Sequence, residues 1–130
     1  MALSDRVIMK KAIVVEDNLL LAVIYRQYLK RMGIDITAEV TSGEKAIEIL
    51  KKEKVDLIIM DIMLEGKIDG IEAMVKVREF SKTPVIFASS NSDEFHFSKA
   101  KLISNSIFLV KPVTEKDFNE AVSQSEDLRE

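Results

Sequence analysis

Four apolar runs in this chain each end in polar residues of the types that phosphoryl transfer to a carboxylate requires. Ala12-Ile13-Val14-Val15 runs into Glu16-Asp17, and Val55-Asp56-Leu57-Ile58-Ile59-Met60 runs into Asp61. Val85-Ile86-Phe87-Ala88 ends in Ser89, and Ile107-Phe108-Leu109-Val110 ends in Lys111-Pro112. If these runs are parallel strands, an acid pair, a lone carboxylate, a hydroxyl and an ammonium all reach one sheet edge. Open α/β sheets bind their ligands at that edge. Asp61 is the expected chemical centre.

Each residue also has a structural explanation. Glu16 and Asp17 could serve as negative charge at a helix N-terminus, worth about 0.3–1 kcal/mol, yet Asn18 can cap that helix unaided. Two adjacent acids at a strand end equally make a hard-oxygen site suited to Mg²⁺, which takes one or two carboxylates and keeps several waters. Asp61 could cap the loop at Ile62-Met63. If it instead shares a pocket with Asp17, the like charges repel and require a divalent ion or Lys111 to balance them. A balanced, ionised carboxylate is a competent phosphoryl acceptor and would give a labile mixed anhydride. Ser89 begins Ser89-Ser90-Asn91-Ser92, which also reads as loop chemistry; its functional role would be a hydroxyl bonding a phosphoryl oxygen. A lysine at a buried strand end needs an anion, so Lys111 closes either the reactive pocket or a structural ion pair. Pro112 breaks the strand, and a cis bond there would aim Lys111 back across the sheet edge.

The segments between the runs carry helical periodicity. Asn18 precedes Leu21, Ile24, Tyr25, Tyr28, Leu29 and Met32, with Gly33 as the stop. Ile34, Ile36, Ala38 and Val40 alternate, which predicts one face of a strand near the sheet edge. Thr41-Ser42-Gly43 opens a helix with Ala46, Ile47 and Leu50 inward, closed by Lys51-Lys52-Glu53-Lys54. Asp69-Gly70 starts another, carrying Ile71, Met74 and Val75. Thr83-Pro84 breaks the chain before the fourth run. Asn91 to Leu102 is a weaker, polar helical pattern, and Thr114 caps a last helix with Phe118, Ala121 and Val122 inward. Five strand–helix repeats predict an α/β fold with a doubly wound parallel five-stranded sheet between two helical layers, (βα)5 with flavodoxin-like strand order.

The bulk properties fit one small domain. The chain has 130 residues, a net charge of −3 and no cysteine, so disulfides and thiolate metal sites are excluded. The acidic balance argues against a generic nucleic-acid surface or an anionic membrane surface. No apolar run approaches the roughly 18 residues of a membrane span, and the N-terminus lacks a signal-peptide core; a cytoplasmic location is expected.

Taken as a set and in this chain order, the strand-end residues resemble the receiver domain of two-component response regulators, from Lys11 to about Val122. The resemblance implies that Glu16 and Asp17 form the acidic pair with Asp17 as a direct Mg²⁺ ligand. It implies further that Asp61 is the phosphoacceptor and that the Met63 backbone carbonyl completes the protein's Mg²⁺ ligands, beside Glu16, Asp17 and Asp61. Ser89 matches the switch hydroxyl, Phe108 the switch aromatic, Lys111 the family lysine and Pro112 its cis proline. The implied partner is a sensor histidine kinase or a histidine phosphotransfer protein, whose phosphohistidine supplies Asp61. Phosphorylation would draw Ser89 inward, turn Phe108 and alter the surface of the fourth helix, fifth strand and fifth helix, through which homodimerisation on phosphorylation or control of an output protein would run.

The chain departs from the family pattern in three places. The loop Leu64–Gly70 is one residue longer than the common form and lacks its usual proline, and Ser90 replaces a frequent alanine. The positions two beyond Asp61 and Ser89, which tune phosphoryl lifetime in the family, are Met63 and Asn91. The sole histidine, His96, reads as a surface residue, while its neighbours Phe95 and Phe97 suggest either a partner face or packing on the sheet. Two rival readings remain at this stage. An aspartyl-phosphate hydrolase would need an acid two residues past its nucleophile, where this chain has Met63, so true enzymatic turnover is not expected. A degenerate receiver would act only as an interaction scaffold. One domain is expected over residues 1–130, with its core over about 10–125 and no output domain in this chain, either stand-alone or excised from a longer regulator or hybrid kinase.

Overall fold

The computed structural model describes residues 9–90 and 94–128. Strands and helices alternate strictly: β1 (Lys11–Val15), α1 (Leu19–Arg31), β2 (Asp35–Val40), α2 (Gly43–Lys52), β3 (Leu57–Asp61), α3 (Gly70–Val77), β4 (Val85–Ser90), α4 (Glu94–Ala100), β5 (Ser106–Lys111) and α5 (Glu115–Leu128). The strands pair in parallel in the order β2-β1-β3-β4-β5, the doubly wound, flavodoxin-like arrangement expected from the alternation. No helix among the described residues is long and apolar enough to cross a membrane.

Side chains alternate across the strands, and the sheet buries both faces. Ile13, Val15, Ile58, Met60 and Phe87 meet Ala46 and Leu50 of α2 and Met74 and Val77 of α3. Ala12, Val14, Leu57, Ile59 and Ala88 meet Tyr25 and Leu29 of α1 and Phe118 and Val122 of α5. Central strand β3 is buried along its whole length, as a near-continuous apolar run in a doubly covered sheet should be.

The helix boundaries follow their capping residues. The Asn18 side chain accepts from Leu21 N at 3.1 Å, the Ser42 hydroxyl from Lys45 N at 3.3 Å and the Thr114 hydroxyl from Asp117 N at 3.1 Å. Asp69 and Glu72 form a reciprocal capping box on α3, satisfying two otherwise orphaned donors. Past α1, Gly33 adopts φ +76°, a left-handed conformation that glycine takes without steric cost.

Two expectations are corrected. Ile34, Ile36, Ala38 and Val40 do not share one face of β2. Ala12 pairs with Ile36 but Ile13 pairs with Ala38, a register shift that leaves Thr37 as an extra residue. Such a bulge reverses the facing of everything beyond it, so Ile34 and Ile36 pack on the α1/α5 side and Ala38 and Val40 on the α2/α3 side. Second, Val75 of α3 is exposed, and Ile71, Ala73, Met74 and Val77 form the buried stripe, because the inward face is set by the sheet beneath it rather than by apolarity alone. Asn91 and the chain before Met9 lie outside the described residues.

Candidate functional site

All four strand ends carrying the predicted residues open at the same sheet edge, since β1, β3, β4 and β5 are adjacent and parallel. Alternation within the strands then sorts them. Glu16 follows Val14, Asp61 follows Ile59 and Lys111 follows Leu109, each two residues on. All three therefore continue the α1/α5 side of the sheet. Ser89 follows Phe87 and has the opposite parity, shared with Phe108 on β5. The charged groups converge on one side, and the hydroxyl and aromatic ring belong to the other.

Lys111 ties the charged groups together. Its Nζ donates to Asp61 Oδ1 at 3.0 Å and lies 3.3 Å from Glu16 Oε1. Asp61 and Glu16 are only 4% and 2% exposed, whereas Asp17 faces solvent. The other Glu16 oxygen, Oε2, accepts from Asn18 N at 3.1 Å, so the turn into α1 orients this carboxylate. The first turn of α1 contains no acid; Asn18 does the capping, and the acid pair is left to face the pocket.

Glu16, Asp17 and Asp61 can each present a carboxylate oxygen such that all three lie within 4.8 Å of one another. Three carboxylates against one ammonium, −3 + 1, leave a formal −2 in the pocket. The strain shows in Glu16, whose carboxyl is pushed up to about 7 by burial and then by the charge of Asp61, despite Lys111. Burial pulls Lys111 down, but its hydrogen bond to Asp61 and the charges of Asp61 and Glu16 hold it above its usual value. Glu16 Oε1 is buried and receives no hydrogen bond. An all-oxygen donor set of two buried carboxylates and one exposed one, with excess negative charge, fits a hard divalent cation.

Ser89 is buried and lies opposite Val110, one residue along β4 from Ala88, which pairs with Asp61. The Lys111–Pro112 peptide bond is cis. Phe108 is half-buried and meets Phe97 of α4 edge-on, with ring centroids 5.0 Å apart; of the two α4 phenylalanines it is Phe97 that packs toward the sheet. His96 is partly buried rather than a plain surface residue. Met63 is 59% exposed.

The long loop after β3 is fixed at several points. Ile62 is buried, its N–H donates to Ala88 O at 3.2 Å and its carbonyl accepts from Gly70 N at 2.8 Å. Glu65 bridges to Ser42 and accepts from the Thr41 hydroxyl, and Lys67 N donates to Glu44 at 2.9 Å. Sequence reasoning missed two contributors. A Cβ on Gly70 would lie 2.2 Å from the Asp61 carbonyl oxygen, so α3 packs directly on the backbone of the central carboxylate. Tyr28 donates to Val113 O at 3.1 Å and pins the segment just past Lys111–Pro112. Only pairing through space reveals either one.

Residues 12–123 match the response regulator receiver domain family. The chain is 30% identical to a response regulator receiver protein from Sinorhizobium medicae, with a TM-score of 0.83 over 94% of this chain and 98% of that one. It is 28% identical to the signal receiver domain of a modulated diguanylate cyclase from Desulfovibrio desulfuricans, with a TM-score of 0.83 over 95% of this chain and all of that one. Transcriptional regulatory protein YvrH of Bacillus subtilis is 28% identical over 100 residues, which is 77% of this chain and 42% of the relative. The chain spans about half the length of the first curated relatives it matches, 42% and 58%. With a family match covering most of the chain and the five-stranded parallel sheet beneath it, this chain belongs to the response regulator receiver domain family.

Proposed function

We propose that this chain is a phosphorelay switch in which Asp61 accepts a phosphoryl group from a phosphohistidine. The observation carrying this reading is the buried Asp61 carboxylate held 3.0 Å from Lys111 at the end of the central strand, beside two further acids able to share a cation. Glu16, Asp17, Asp61 and the Met63 backbone carbonyl would hold Mg²⁺. Bound there, the ion supplies positive charge to the transferring group. Asp61 attacks phosphorus as the P–N bond to the donor histidine breaks, and Lys111 stabilises the charge on the phosphoryl oxygens. Little else is required of the protein beyond positioning.

The rim of this pocket suits a protein donor. Leu19 and Leu20 at the start of α1 are 77% and 69% exposed, and Met63 is also exposed; exposed apolar side chains grouped beside a site mark a surface for contact with another protein. We assign the donor as a sensor histidine kinase or histidine phosphotransfer protein, the compartment as the cytoplasm, and the domain core as about residues 10–125. In the phosphorylated form Ser89 bonds a phosphoryl oxygen and Phe108 moves inward, so its edge contact with Phe97 has to change. That links the pocket to the face made by α4, β5 and α5, through which an output partner or a second copy would be controlled. The switch follows only if the phosphoryl group favours one state over the other. Hydrolysis of the mixed anhydride resets it, with no turnover of ordinary phosphoesters.

The test is incubation with acetyl phosphate and Mg²⁺, followed by intact-mass measurement. One added phosphoryl group, absent from Asp61→Asn, is the expected result. No modification at all favours an interaction scaffold, and repeated turnover of simple phosphoesters favours a hydrolase.

A further inference from the structure

A tyrosine lies beneath the acidic pocket, and its hydroxyl has no partner. Tyr25, on the inner face of α1, is 2% exposed, its ring stacked on Phe118 at 5.9 Å with an interplanar angle of 15°. It belongs to the cluster containing Val14, Ile59, Ala88 and Val113, the side of the sheet on which Glu16, Asp61 and Lys111 lie. Its hydroxyl makes no hydrogen bond, and neither does Glu16 Oε1; both atoms are buried. A buried phenol without a partner is costly, and almost all such groups find one. Here a donor without a partner and an acceptor whose cationic neighbour is Lys111 Nζ at 3.3 Å lie on the same side of the sheet. Glu16 and Asp61 are near enough that, after burial itself, their charges are the largest influences holding the phenol protonated.

We propose that Tyr25 is a positioning residue of this pocket, its hydroxyl donating to Glu16 through one internal water and fixing that carboxylate for cation binding. Its neighbour one turn on, Tyr28, already holds the far side through Val113, so α1 grips the pocket at two points. The cation-binding part of the inference rests on the proposed phosphorelay reading; the hydrogen bond itself does not.

The experiment is a double-mutant cycle on the full chain with Y25F, E16Q and the pair. Mg²⁺ affinity is read by calorimetric titration and thermal unfolding is read in chelator. Y25F should weaken Mg²⁺ binding about three- to tenfold, the value of one hydrogen bond, and lower the unfolding midpoint. In the Glu16→Gln background Y25F should do neither to the same extent. An unchanged Mg²⁺ affinity together with a raised midpoint would overturn the inference, because it identifies the phenol as a solitary buried donor whose removal is favourable. If wild type binds no Mg²⁺, the phosphorelay reading fails on its own account, and additivity or coupling in the unfolding cycle still decides the Tyr25–Glu16 bond.

Discussion

Replacing Gly70 with alanine tests how Asp61 is held, without touching any charged group. A Cβ at this position would stand 2.2 Å from the Asp61 carbonyl oxygen and 2.8 Å from Met60 Cγ, where real contacts stay beyond 3.0 Å. At least 3.0 − 2.2 = 0.8 Å of separation has to be found. The helix cannot supply it freely, because Gly70 N is bonded to Ile62 O at 2.8 Å and the Asp69–Glu72 capping box fixes the same turn. The displacement therefore passes to the end of β3. Overpacking of this kind costs about 1–3 kcal/mol, a fall of about 4–12 °C in unfolding midpoint for a domain of this size. A misplacement approaching 1 Å at a reacting group lowers rates by up to about 100-fold, so acetyl-phosphate uptake should fall by about 10- to 100-fold. The assay pairs thermal unfolding with the rate of intact-mass increase. Wild-type midpoint and wild-type rate in Gly70→Ala would refute the packing reasoning.

Three other perturbations bear on separate parts of the structure. Lys111→Met removes the single ammonium between Asp61 and Glu16; in chelator it should cost about 3 kcal/mol in urea unfolding, with part of the loss recovered on adding Mg²⁺, and phosphoryl uptake should drop. Asn18→Ala removes the α1 cap and should cost about 1 kcal/mol, read as a shifted urea midpoint with an unchanged slope. Met63→Asn replaces an apolar side chain two residues from Asp61, placed to shield the mixed anhydride from water, with one able to hold water; the phosphorylated form, followed by mass, should decay faster than wild type, and an equal lifetime would remove that role.

Several features were legible in the chain because they are local. The strand–helix alternation, the Asn18, Ser42 and Thr114 caps and the break at Pro84 depend on neighbours within a few residues, and each stands where the sequence places it. The pairing of Lys111 with a carboxylate was also legible, since an ammonium at a buried strand end needs an anion. The facing of β2 was not. Its alternation is unbroken in the sequence, and the extra residue at Thr37 appears only when β2 is paired against β1. Val75 misled for a related reason: helical spacing allows more than one apolar stripe, and contact with the sheet selects one.

The sequence by itself determined the order of elements and the residue types delivered to the sheet edge, because periodicity, capping and strand-end chemistry are written in short windows. Only the tertiary structure decided what those residues do to one another. The strand order brings β1, β3 and β5 close enough for Lys111 to reach both Asp61 and Glu16. Burial there raises Glu16, close packing sets Gly70 against the Asp61 carbonyl, and the Tyr25 hydroxyl is enclosed without a partner. Desolvation and the approach of groups that lie apart in the chain set these energies, and neither is encoded at any one position.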